Sequence, residues 1–200
     1  MIHVASPFVM SEPRDEMELI RPAVEGTKAV LKACKANGVQ RLSITSSIAA
    51  IDECLDEDAP DVFNETHWTD LNKPGLSAYG KSKTLAEKAA WEFLEALPES
   101  ERFELTIVNP GFIAGPTLVN SHFASSEILA LFMNDKLPGG CPQIAMACVD
   151  VREVAQAHVN CIKRDEAQGK RFLLSAQTLW MTEIGNILST HFTPLGYTIP

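Results

Sequence analysis

The chain has 200 residues, 46% of them hydrophobic and 22% charged, which fits a globular domain with a substantial core and excludes a disordered segment. Lys+Arg 17 against Asp+Glu 26 give a net charge of −9 with no basic run, so nucleic acid and anionic membrane surfaces are excluded as partners. No apolar run approaches the ~20 residues of a membrane-spanning helix, and Met1 to Pro7 lack the basic and apolar regions of a signal peptide.

In chain order, Ile2 to Ala5 reads as the end of a strand. Asp15 to Ala36 carries apolar residues at helical spacing and is closed by Asn37-Gly38. Arg41 to Ser46 is short and β-branched, a strand. Residues 52–75 predict a surface loop in which Asp52, Glu53, Asp56, Glu57, Asp58 and Asp61 are solvated. From Ser77 to Leu97 the stripe Leu85, Ala89, Phe93, Leu97 predicts a helix, with Trp91 and Phe93 as packing residues. Phe103 to Val108 is a strand stopped by Asn109-Pro110-Gly111. Beyond it, helices are expected over Glu127 to Met133, Val151 to Ile162 and Thr182 to His191. Strands are expected over Ile144 to Val149 and Arg171 to Leu174, with Pro138-Gly139-Gly140 in a loop. The alternation predicts a parallel sheet covered by helices.

The cysteines (Cys34, Cys54, Cys141, Cys148, Cys161) are odd in number with no C-x-x-C pair, and the five histidines, His122 among them, are as dispersed. Reduced thiols, a cytoplasmic location and no metal are expected. Gly75 to Ser82 fits G-x-x-x-x-G-K-[ST], but the polar, proline-terminated run before it cannot be the central strand a phosphate loop needs. No two glycines are spaced G-x-x-G, so no dinucleotide fingerprint is present. Tyr79 and Lys83, at i and i+4, share one helix face. Thr45-Ser46-Ser47 and Asn109-Pro110-Gly111 close neighbouring strands at the carboxyl edge where parallel sheets bind ligands.

Thr45 to Ala50, Ser77 to Trp91 and Asn109 to Pro116, with His3 to Phe8, Pro22 to Thr27 and Val149 to Ala155, resemble the extended short-chain dehydrogenases/reductases. Within them the run is similar to the dihydroflavonol reductase, cinnamoyl-CoA reductase and aldehyde/ketone reductase group. The resemblance implies an α/β fold, a partial Rossmann-type doubly wound parallel sheet lacking the N-terminal glycine-rich βαβ unit. The chain is expected to be truncated at both ends, with an exposed sheet edge at Ile2 to Ala5 through which it self-associates. Residues 1–110 would be the C-terminal part of a dinucleotide-binding domain, and 111–200 a partial substrate lobe interleaved with the last sheet elements.

The implied function is NADP(H)-dependent reduction of an aldehyde, ketone or flavonol-like carbonyl, with NAD as the second cofactor choice. By the resemblance Tyr79 is the proton donor, Lys83 lowers its pKa and holds the nicotinamide ribose, and Ser47 orients the carbonyl. Val4, Ala5 and Ser6 line the adenosine side; Pro110, Gly111 and Ile113 lie along the nicotinamide, with Ser125 a further contact. Missing the pyrophosphate-binding helix, the isolated chain is expected to bind NADPH at millimolar strength or not at all. Two other readings stay open: an inactive truncated remnant acting as a binding domain, and a sugar-nucleotide epimerase or dehydratase of the same fold.

Overall fold

A computed structural model describes residues 1–9, 11–53, 59–119, 124–134, 136–137 and 139–199. Cys54, Asp56, Glu57, Asp58, His122 and Pro138 lie outside the described residues. The chain divides into two compact units, residues 1–110 with 154–174, and residues 111–153 with 175–200.

The first unit is built on four parallel strands, β1 (Ile2–His3), β2 (Arg41–Thr45), β3 (Glu104–Pro110) and β6 (Arg171–Leu174), in the order β1-β2-β3-β6. A parallel sheet must bury both faces, and the side-chain alternation of β2 and β3 shows how. Leu42, Ile44, Leu105 and Ile107 point to one face. There they meet Leu31 and Cys34 of α1 (Met17–Ala36) and Ala90 and Leu94 of α2 (Ala78–Glu95), all buried. Each such aliphatic side chain contributes about 1.5–3 kcal/mol on burial. The intervening Ser43 and Thr45 point the other way, to His158 of α4 (Val151–Lys163), whose Nδ1 and Nε2 each lie 2.8 Å from one of the two hydroxyls. Cys161 of the same helix packs with Val108 and Ala167. Helices therefore cover both faces, as the doubly wound reading expected.

The second unit holds a three-stranded sheet. Strand β4 (Phe112–Ala114) runs parallel to β5 (Ala145–Asp150), which pairs antiparallel with β7 (Gln177–Trp180). Its core is Phe132 of α3 (Ala124–Met133) with Met181 and Ile184 of α5 (Met181–Phe192). Gly111 packs so closely on β5 that a Cβ there would lie 2.1 Å from the Ala147 carbonyl oxygen.

Several expectations need correction. The first strand stops at His3, because only Ile2 and His3 find partners on β2. Asn109 and Pro110 do not stop β3 but continue it, pairing with Leu173 and Leu174; a proline at the end of a strand forfeits little. On α2 the expected stripe is buried at Ala89 and half-buried at Leu85, Phe93 and Leu97. The helix also buries Ala78, Ser82, Ala86 and Ala90, small residues that let α1 approach closely. Trp91 and Phe93 pack against the core as expected.

Candidate active site

Strand β2 ends at Thr45, and Ser46 N still bonds the Val108 carbonyl at 2.7 Å. Ser47, in extended backbone, then caps a short 3-10 turn (Ile48–Ala50), its Oγ accepting from Ala49 N at 3.2 Å. The serine is thus fixed at the carboxyl edge of the sheet. Helix α2 starts opposite it. Ser77 Oγ accepts from Gly80 N at 2.9 Å, Glu53 Oε1 accepts from Ser77 N at 2.7 Å, and Glu12 Oε2 accepts from Ala78 N at 3.2 Å. A cap and two carboxylates at a helix N-terminus satisfy its free amides and oppose the positive end of its dipole.

The first turn of α2 carries Tyr79 and the second Lys83, on one face. The Ser47 side chain lies near enough to Tyr79 to favour its ionised form. The Phe8 ring meets Tyr79 edge-on at 5.2 Å, and Lys83 Nζ stands 5.5 Å from the tyrosine ring centroid. The structure thus brings the three expected catalytic side chains together. Lys83 is 8% exposed, and among the described residues no hydrogen bond or ion pair is made to its Nζ.

The electrostatics differ from expectation at Tyr79. Burial raises the phenol above its usual value, the Ser47 side chain works in the opposite direction, and the charge of Glu53 raises it further. The expected depression by Lys83 is absent, because the cost of burying a phenolate outweighs a cation held over the ring. Burial brings Lys83 down to about 8, against the pull of Glu87. His3 is also lowered, by burial first and by Lys83 second.

Further groups complete the site. Glu87 accepts from Ser46 Oγ at 2.5 Å, from Asn109 Nδ2 at 2.8 Å and from Arg171 Nε at 2.6 Å. Asn109 Nδ2 also donates to the Ser47 carbonyl at 3.1 Å, while its Oδ1 is buried with no hydrogen-bond partner among the described residues. Glu87 was not expected, although the four-residue spacing Tyr79, Lys83, Glu87 was an available signal; Asn109 was placed at this strand end but given no role of its own. Asp52 and Glu53, expected among the solvated residues, are half-buried. Thr69 Oγ1 accepts from Glu53 N at 3.1 Å, and burial raises the Asp52 carboxyl to about 6.

Of the expected cofactor contacts, Ala5 and Ser6 line a cavity of about 20 Å³ with His3, Lys83 and Glu87, whereas Val4 is 65% exposed and outside it. Pro110 ends β3. In the second unit, Gly111 lies against Ala147, Ile113 pairs with Val149, and Ser125 sits half-buried in the first turn of α3. The phosphate-loop match fails structurally too. Gly75 sits in a turn at φ +81° after a loop, and Lys81 is held by Glu16 at 2.6 Å.

The 3-beta hydroxysteroid dehydrogenase/isomerase family matches residues 1–191. The chain belongs to this family. Among its relatives is the NADPH-dependent methylglyoxal reductase of Saccharomyces cerevisiae, 36% identical over 214 residues, covering 100% of this chain and 63% of that protein. An anthocyanidin reductase of Vitis vinifera is 33% identical over 206 residues, covering 96% of this chain and 59% of its own. The crystal structure of yeast methylglyoxal/isovaleraldehyde reductase in complex with NADPH superposes with a TM-score of 0.87 at 34% identity, covering 100% of this chain and 62% of that one. The fold is thus Rossmann-type, as in other extended short-chain reductases. The chain spans about 60% of the length of these relatives.

Proposed function

We propose that the chain carries the catalytic centre of an NADP(H)-dependent oxidoreductase that reduces an aldehyde, ketone or flavonol-like carbonyl. The observation that carries this reading is the buried Lys83 ammonium, whose Nζ makes no hydrogen bond or ion pair among the described residues, held 5.5 Å from the ring centroid of Tyr79 with Ser47 nearby. A buried cation with free donors fits the hydroxyls of a nicotinamide ribose. An NADPH-dependent reductase and a structure in complex with NADPH among the relatives favour NADPH over NAD. Residues 1–110 would belong to the cofactor domain and 111–200 to the substrate lobe. Ala5, Ser6 and Lys83, with Val4, Pro110, Gly111, Ile113 and Ser125, would hold the cofactor, which supplies the hydride when bound.

Tyr79, an ordinary phenol pushed further up by burial, is protonated at neutral pH, so it is a stored proton for the reduced oxygen. Ser47, fixed by its cap, orients that oxygen and shares its developing charge. A cytoplasmic location and association through the exposed β1 edge complete the proposal; Ile2, 41% exposed there, gives the handle. Ile2→Lys should shift the chain toward monomer in sedimentation, and unchanged association would remove the edge from the proposal.

NADPH binding and carbonyl-dependent NADPH oxidation test the chemistry. Tyr79→Phe should lower kcat by at least ~10²-fold with cofactor affinity kept, on the usual size of a proton-transfer contribution. Lys83→Ala should weaken both binding and turnover, and Lys81→Ala neither. Near-normal turnover in Tyr79→Phe overturns the assignment. No NADPH binding by the wild-type chain would favour the inactive binding domain, and tightly retained NAD the epimerase or dehydratase.

A further inference from the structure

Tyr79, Lys83 and Glu87 follow one another at four-residue intervals along a single face of α2. The first two have roles in the proposed chemistry, and Glu87 has none. Its side chain has no solvent exposure, and that of its partner Arg171 has 7%. A buried carboxylate is costly unless every lone pair is used, and here each oxygen is engaged. Oε2 receives the Ser46 hydroxyl from the end of β2 and the Asn109 amide from the end of β3. Oε1 receives the Arg171 guanidinium from the start of β6.

The connections reach the reacting groups. Ser46 is the residue before Ser47, and the amide nitrogen that Asn109 gives to Glu87 it also gives to the Ser47 carbonyl. Arg171 in turn binds the carbonyls of Glu65 and His67 at 2.9 and 2.5 Å and stacks on Trp68 at 3.8 Å. One helical turn before Glu87 lies Lys83, and both line the same small cavity with His3 and Ser46. An apolar pair of equal volume would fill the space as well and cost no desolvation, so packing alone does not call for a carboxylate at this position.

We propose that Glu87 is the positioning residue of this site, a buried carboxylate that ties the strand ends bearing Ser47 to the helix bearing Tyr79 and Lys83 and stands as the countercharge to the Lys83 ammonium. The inference rests on the proposed reductase reading for the meaning of Lys83, but its test does not need turnover. The charged and titratable groups around the pair are His3 on β1, Arg171 on β6 and Tyr79 and Lys83 on α2, with neutral Ser46 and Asn109 on β2 and β3. Arg171 binds the oxygen of Glu87 that the strand-end donors leave free, and Glu87 is the charge that raises Lys83 against burial.

The experiment is a titration of Lys83 by NMR in the cofactor-free, reductively ¹³C-methylated chain, its resonance assigned by loss in Lys83→Arg. Glu87→Gln keeps the shape and removes the charge. The Lys83 midpoint should fall by roughly one pH unit, the low end of what a close opposite charge supplies. Glu87→Asp should restore most of it. Should Glu87→Gln fail to fold because Arg171 is left unpaired, Glu87→Gln/Arg171→Met removes the whole ion pair and carries the same readout, with a smaller fall expected. A folded variant of either kind in which Lys83 titrates as in wild type overturns the proposal. In parallel, the alkaline limb of kcat for carbonyl reduction should move down with the lysine. A wild-type chain without carbonyl reduction would count against the reductase reading alone, since the titration decides Glu87 either way.

Discussion

Two glycines in this chain have close neighbours of opposite kinds, and their substitution should separate strain from function. A Cβ on Gly80 would fall 1.5 Å from Glu53 Oε2, the end of a side chain that can swing aside at the loss of its bond to Ser77 N. That loss of about 1 kcal/mol is offset by the better helix propensity of alanine, so Gly80→Ala should leave the denaturation midpoint nearly unchanged while reducing kcat through the displaced turn of Tyr79. A Cβ on Gly111 meets the Ala147 backbone, which cannot yield, and Gly111→Ala should cost about 1–3 kcal/mol in the same measurement. Lys83 provides a pH prediction. It titrates at about 8, and the protonated form is the one that binds ribose hydroxyls, so NADPH affinity should fall as pH rises through 8. A flat affinity from pH 7 to 9 would mean that the ammonium is not a cofactor contact. The shared face of Tyr79 and Lys83 and the strand end at Thr45-Ser46-Ser47 were readable because helix periodicity and strand ends are local properties, while the choice of Ser47 and the roles of all three came from the family resemblance. Glu87 and Glu53 were not, because what makes them part of the site is Arg171, Ser46 and Ser77, partners as much as 84 residues away.

At the level of elements, α4 is held to the sheet through a neutral imidazole. His158 is kept below its ordinary value of 6.5 by burial, so the unfolded chain binds its proton more readily than the folded one. Stability is therefore full above 6.5 and is lost as pH falls toward the folded value. Asp52 acts in the opposite sense. Its raised carboxyl, at about 6 against 3.8, is ionised at a cost above pH 6, and that cost is relieved on acidification. Asp52→Asn should stabilise the chain at pH 7 by about 1–2 kcal/mol, allowing for its partial exposure, and should make the acid-side loss due to His158 steeper in thermal melts. The elements legible in the sequence were α1 to α5 and the strands β2, β3, β5 and β6, whose periodicity, β-branched runs and bounding turns are local. Strands β4 and β7 were not, since three and four residues carry no period of their own and become strands only by pairing with β5.

At the scale of the whole chain, the two units differ in how deeply they bury backbone. Leu42, Leu105, Ile107 and Val108 are at most 1% exposed, whereas on β5 only Val149 is buried. In native-state hydrogen exchange the amides of β2 and β3 should be the last to exchange, and those of β5 should be lost earlier. Equal protection across both sheets would contradict this ordering. One feature of the layout bears on inheritance as much as on folding. The chain leaves the first unit at Pro110, re-enters it at Val154 and leaves again after Leu174. No single recombination point therefore exchanges one unit for that of a relative. A crossover at 110 would graft a foreign α4 and β6 onto a native β2 and β3, pairing a new residue 158 with Ser43 and Thr45 and a new residue 171 with Glu87. Exchanging the second unit whole should demand three junctions, at 110/111, 153/154 and 174/175, so that β5 keeps its own β7 and Phe132 its own Met181 and Ile184.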